Sequence, residues 1–190
     1  MNHDLALYRL AAREIKDVYD GQCFDEYSTE WNSSICDYNG RNIQVLAVGG
    51  SDELIDWLWN VTLLSWGGVK LCSYLSAKRI LKGFTRLTGI PLLVAGHSKS
   101  GPTALYLADR LNADYCVAFA PARGFRRAKV MHNATIVLTE QDPVPKIGFL
   151  SFTHPNCKKY YVRSDGLNGH KIDYFLKNLS HRSKKHEKDS

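Results

Sequence analysis

Apolar positions near the start of the chain recur at helical spacing. Leu5, Leu7, Tyr8, Ala11, Ala12, Ile15 and Val18-Tyr19 share one face, which predicts a helix over 4–19 laid against a sheet. Residues 20–32 break this pattern with polar and aromatic side chains and read as a surface loop near the functional site. Ile35 to Tyr38 and Arg41 to Val48 flank Asn39-Gly40, the pair that favours a type I′ hairpin turn. Leu71 to Leu87 has the pattern of a long amphipathic helix, closed off by Gly89-Ile90-Pro91. Leu92 to Val94, Tyr115 to Phe119 and Thr135 to Thr139 are short, nearly unbroken apolar runs, as expected of strands buried on both faces. Helical patterns at Pro102 to Ala108 and Lys171 to Asn178 alternate with them. The expectation is an α/β fold with a mixed, mainly parallel central sheet and helices on both faces.

The joints between these elements carry the candidate chemistry. Ala95-Gly96-His97-Ser98-Lys99-Ser100-Gly101 falls between an apolar strand and a helix, the context of a nucleophile elbow. Such a turn lifts a serine hydroxyl clear of the sheet at the expense of backbone strain. It also needs small residues two before and two after the serine, where Gly96 and Ser100 stand. Asp142 follows the strand ending at Thr139, in a turn stiffened by Pro143 and Pro145. His170 closes the Gly-rich stretch Asp165 to Gly169 and opens the last amphipathic helix. Ser98, Asp142 and His170 thus stand in the chain order of the α/β-hydrolases, which chymotrypsin-like and subtilisin-like enzymes do not share. His154 also follows Asp142 and is the alternative base. His97 neighbours the nucleophile, but adjacent side chains on such a turn point apart, so packing or support of the elbow is its expected role. The remaining histidines read as surface residues.

Upstream, Asn42 to Val48 is a strand followed by Gly49-Gly50-Ser51-Asp52 and then Glu53-Leu54-Ile55-Asp56-Trp57-Leu58-Trp59. This stretch, taken with Gly96-His97-Ser98, Asp142-Pro143 and His170, resembles the class 3, or fungal-type, lipases over Asp4 to Leu179. Their pattern here is Arg-Gly-Thr/Ser, an acidic residue and a short helix containing Asp-Trp-Leu. Gly49 stands in place of the arginine, and Ser100 in place of the last elbow glycine. The resemblance implies an α/β-hydrolase fold with a minimal or small lid. It also implies an oxyanion hole built from Ser51 and from the backbone N–H of Lys99, the residue after the nucleophile. Residues after the oxyanion position form a lid over the acyl pocket in that family, so Leu54 and Trp57 are candidate substrate-binding residues; a helix packed permanently on the core is the alternative. The activity implied is a serine carboxylic-ester hydrolase acting through an acyl-enzyme, without cofactor or metal. A thioesterase or polysaccharide-acyl esterase on the same triad, or an inactive binding protein of this fold, are the alternatives.

Composition adds bounds rather than chemistry. The 190 residues are 44% hydrophobic and suit one domain over 1–180 with a charged tail over 181–190. No apolar run approaches the ~20 residues of a membrane span. The N-terminus lacks the layout of a signal peptide, and five cysteines without a C-x-x-C pair suit free thiols, so a cytoplasmic location is expected, with signal-independent secretion as the alternative. The net charge of +6 concentrates after residue 60, notably at Arg123, Arg126, Arg127, Lys129, Lys158 and Lys159. A basic face could draw an acyl-ester substrate at an anionic membrane surface. No nucleic-acid motif accompanies the charge.

Overall fold

A computed structural model of the chain describes residues 3–21, 31–49, 68–125, 129–146, 153–163 and 167–181. The amphipathic start folds as α1 (His3–Asp20), whose apolar face is buried. Strands β1 (Trp31–Tyr38) and β2 (Arg41–Val48) pair antiparallel, with Tyr38 opposite Arg41 across a two-residue turn. Asn39 and Gly40 take φ of 54° and 76°, the left-handed conformation that a type I′ turn requires. Strand β1 begins at Trp31, so the loop read over 20–32 gives way to sheet at its last two residues.

Helix α2 (Gly68–Gly83) ends four residues before the periodicity of Leu71 to Leu87 predicts. The reason lies in β2. The Gln44 amide donates to the Thr85 carbonyl at 2.9 Å and accepts from the Leu87 backbone N–H at 2.9 Å, holding 84–87 against the strand instead of in another helical turn. At Gly83 a Cβ would lie 3.2 Å from the Trp31 ring, so the strand and the helix end meet closely.

The chain then runs through β3 (Leu92–His97), α3 (Gly101–Arg110), β4 (Tyr115–Phe119), β5 (Val130–Thr139), β6 (Asn156–Val162) and α4 (Ile172–His181). The strands lie side by side in sequence order, all parallel from β2 to β6. Side chains alternate between faces. Val45, Ala47, Leu93, Ala95, Val117 and Phe119 meet α1 and α4, while Leu46, Val48, Leu92, Val94, Cys116 and Ala118 meet α2 and α3. This is the mixed, mainly parallel sheet covered on both faces that the pattern predicts.

Strand β6 is not foreseen by the sequence reading, because Asn156-Cys157-Lys158-Lys159-Tyr160-Tyr161-Val162 has neither an apolar run nor clean alternation. As an edge strand it is mostly exposed, and its two lysines suit an edge that must not pair with another chain. Strand β5 starts five residues earlier than read, with a register irregularity between Val130 and Thr135. No described helix is long and apolar enough to cross a membrane. Ser51, Leu54 and Trp57, most of 20–32, the basic residues Arg126 and Arg127, and the tail after 181 lie outside the described residues. Cys36, Cys116 and Cys157 are free thiols.

Candidate active site

Parallel strands place their carboxyl ends along one edge of the sheet, where an α/β fold opens its crevice. Val48, His97 and Thr139 end β2, β3 and β5 and are followed in the chain by Ser51, Ser98 and Asp142, while His170 follows β6.

After β3 the backbone reverses through a short 3-10 turn, Ser98–Ser100, into α3. Ser98 is at φ 57°, a conformation non-glycine residues adopt only under constraint. The constraint is visible at Gly96. A Cβ there would lie 2.6 Å from the Ala104 Cβ and 2.8 Å from the Ser100 carbonyl oxygen, so strand and helix touch through a glycine that admits no side chain. Ser100, the departure from the usual elbow, does not crowd it. Its buried hydroxyl donates at 2.5 Å to the carbonyl of Gly49, the residue just after β2. The elbow is thereby tied to the strand end that leads to Ser51.

The loop after β4 supports the turn from the other side, a role the sequence reading did not foresee. Ala120 is at φ 43°, and the Ala122 N–H donates to the Ser98 carbonyl at 3.3 Å. A Cβ on Gly101 would lie 2.4 Å from the Pro121 Cβ, so that loop too is in contact with the elbow helix. In the sequence, the positive-φ position carries alanine rather than glycine, which hides the turn.

Asp142 and His170 converge on Ser98. The His170 Nε2 lies 2.9 Å from the Ser98 Oγ, and its Nδ1 lies 2.7 Å from the Asp142 Oδ2. A carboxylate only accepts, so Nδ1–H donates to Asp142 and the Nε2 lone pair faces the serine hydroxyl. The second carboxylate oxygen accepts from the Val144 backbone N–H at 2.9 Å, inside the turn that Pro143 and Pro145 frame. All three residues are buried. His154 is not part of this chain. Its Nε2 donates to the Pro145 carbonyl at 3.1 Å, where the Arg123 Nε also donates. Of the two candidate bases the geometry brings His170, not His154, to the serine. Lys99 is described and half-buried, and Ser51 lies outside the described residues.

No protein-family model and no curated protein sequence matches the chain. Solved structures do. A Rhizomucor miehei lipase propeptide complex superposes with a TM-score of 0.55 over 94% of this chain and 78% of its own, at 13% identity. A fungal lipase–inhibitor complex gives 0.51 over 84% and 79%, at 18% identity. The chain has the fold of the fungal lipases. A variant of the Penicillium cyclopium protein MDLA also gives 0.51, over 86% and 80%, at 18% identity. In this fungal-lipase fold, the mainly parallel sheet is what the sequence pattern predicts, whereas the strand order comes from the structure alone.

Two further histidine environments bear on stability. Burial, reinforced by the nearby His170, pushes His97 down to about 3. Burial, together with the cationic Arg123 and Lys159, pushes His154 down to about 4 despite its bond to the Pro145 carbonyl. In the unfolded chain both protonate near 6.5. Between that value and 3 to 4 the unfolded state therefore binds more protons, and stability falls as pH falls. The expected slope is up to about 1.4 kcal/mol per pH unit for each histidine. Thermal melts from pH 7 to 4 should move steadily down, and His154→Gln should flatten the series; a flat wild-type series would contradict both burials.

Proposed function

We propose that the chain is a serine hydrolase that cleaves carboxylic esters through an acyl-enzyme. The observation that carries this reading is the continuous buried chain from Asp142 Oδ2 through the His170 ring to Ser98 Oγ, mounted on a strained elbow. A serine hydroxyl is a weak nucleophile at neutral pH and needs a base in contact with it. In the proposed reaction the Ser98 Oγ attacks the ester carbonyl carbon as His170 Nε2 takes its proton. The carbonyl oxygen becomes an oxyanion, received by the backbone N–H groups of Ser51 and Lys99. Collapse breaks the bond to the alcohol oxygen, which leaves with the proton from Nε2. Water then attacks the acyl-enzyme by the same route, releasing the carboxylic acid and restoring Ser98. Asp142 holds the imidazole in the required tautomer and stabilises the imidazolium formed at each attack. The Ser100–Gly49 bond supports the oxyanion role of Ser51, because it fixes the approach to that turn relative to the nucleophile.

On this reading Leu54 and Trp57 contact the acyl group, as the lid segment does in the fungal-type lipases. The basic face contributes less than the raw charge implies. Lys129 pairs with Asp109 and Lys158 with Asp4, each at 2.5 Å, so attraction to an anionic surface is not needed for the reading.

The test is hydrolysis of p-nitrophenyl esters from C2 to C16, run beside labelling with a fluorophosphonate probe. Saturable turnover and labelling of one serine, mapped to Ser98, are expected, and the chain-length optimum separates an esterase from a lipase. A folded protein that neither labels nor turns over any ester or thioester would overturn the hydrolase reading in favour of a binding protein.

A further inference from the structure

Beyond the three residues that touch one another at the site, the loop carrying His170 is held by its main chain. The carbonyl of Gly169 accepts from the Thr139 hydroxyl at 3.2 Å, and the carbonyl of His170 itself lies 2.6 Å from His97 Nε2. A carbonyl oxygen only accepts, so His97 carries its proton on Nε2 and its Nδ1 must be an acceptor. The group that meets Nδ1 is the Tyr19 hydroxyl, at 2.8 Å. His97 ends β3 and Thr139 ends β5, so two elements hold two consecutive peptide groups, and Tyr19, near the end of α1, holds His97 in turn. Packing or elbow support, the role expected of His97 from the sequence, does not by itself name these partners. Its bonds run to α1 and to the base rather than to the turn at Ser98.

We propose that Tyr19 and His97 are positioning residues for the base, a buried relay that sets where the His170 main chain sits and so where its Nε2 meets Ser98. The inference rests on the hydrolase reading for its consequence, but its geometry stands apart from it. The two imidazoles lie with centroids 4.9 Å apart and 38° between planes, close enough for the first ring also to limit rotation of the second. The Tyr19 ring meets His97 edge-on at 5.8 Å. An uncharged neighbour is what the chemistry requires, because His170 becomes cationic at each attack and a second cation beside it would oppose that step. A phenylalanine at 97 would fill the space but could not hold the carbonyl. A misplacement of about 1 Å at a catalytic group can lower a rate about 10²-fold.

The proposal is tested with His97→Phe, His97→Gln and Tyr19→Phe in the full chain, by ester kinetics and by proton NMR of the His170 Nδ1–H bonded to Asp142. His97→Phe should lower kcat by about 10- to 100-fold with KM within about twofold of wild type. His97→Gln, which restores an N–H donor, should recover several-fold of that loss. Tyr19→Phe, which removes a single hydroxyl, should show a smaller loss of the same kind and decides the matter if His97→Phe does not fold. In the spectrum, the downfield Nδ1 proton should be sharp in wild type and Gln variant and broadened in the two Phe variants. Equal kcat and an equally sharp resonance in Tyr19→Phe and wild type would overturn the relay. If wild type turns over no ester and labels with no probe, the hydrolase reading fails. The resonance then still decides the relay, sharp in wild type and broadened in Tyr19→Phe supporting it.

Discussion

Ser98→Ala should lower kcat on any ester the wild type accepts by about 10⁴-fold or more and abolish fluorophosphonate labelling, with the fold intact. The size of the loss follows from how the proposed parts act together. Without the hydroxyl, His170 has nothing to deprotonate, and Asp142 has no imidazolium to stabilise, so one deletion removes the action of the whole unit. The residual rate is what binding and the oxyanion donors alone can supply. The fold should survive because the hydroxyl's partner is the His170 ring and the change deletes only that one oxygen, keeping the Cβ. Alanine also inherits the φ of 57°, so the strain of the elbow is unchanged in kind. A melting temperature within a few degrees of wild type, beside lost turnover, is the expected pair of measurements. Retained turnover in this variant would move the chemistry away from the elbow altogether.

Asp142→Asn should cost nearly as much, about 10⁴-fold in kcat, and for a reason specific to this turn. An amide could in principle keep the His170 tautomer by presenting its oxygen to Nδ1–H. Here the other position of the carboxylate accepts from the Val144 backbone N–H at 2.9 Å. That N–H needs an oxygen, so the amide is oriented with its NH₂ group toward His170. Two donors then face each other unless the imidazole moves its proton to Nε2. A protonated Nε2 cannot receive the proton of Ser98. The expected signature is a collapse of kcat with KM changed only a few-fold, in a protein that still melts cooperatively. If kcat falls less than tenfold, the Asp142–His170 bond does not carry the role assigned to it.

Much of this site is legible along the chain because the relevant constraints are local. A serine between a strand and a helix, with glycine two residues before it, announces a strained turn. Asp142 ahead of two prolines and His170 behind a glycine-rich stretch announce ordered loops at element ends. Chain order then separates the α/β-hydrolase arrangement from other serine arrangements. Choosing between His154 and His170 needs more. Both follow Asp142, His170 ends up buried and His154 half-buried, and only the approach of the last helix to β3 brings one of them to Ser98. His154 instead holds the Pro145 carbonyl beside the turn that carries Asp142, a contact no spacing rule reveals.

The sequence by itself determines the fold class, because periodicity and burial are written residue by residue. The one-faced pattern of α1, the Asn39-Gly40 turn and the unbroken apolar strands each specify an element without reference to the rest. Where an element depends on a distant partner, the chain alone is silent. The end of α2 at Gly83 is decided by the side chain of Gln44, 39 positions earlier in the numbering and across the sheet. Strand β6 exists because β5 offers it an edge, not because its own pattern demands one. The relay from Tyr19 through His97 to the His170 carbonyl spans three elements and is invisible in one dimension. Hydrogen bonds between remote groups are short-ranged and directional, so they come into being only when packing has brought their ends to within about 3 Å.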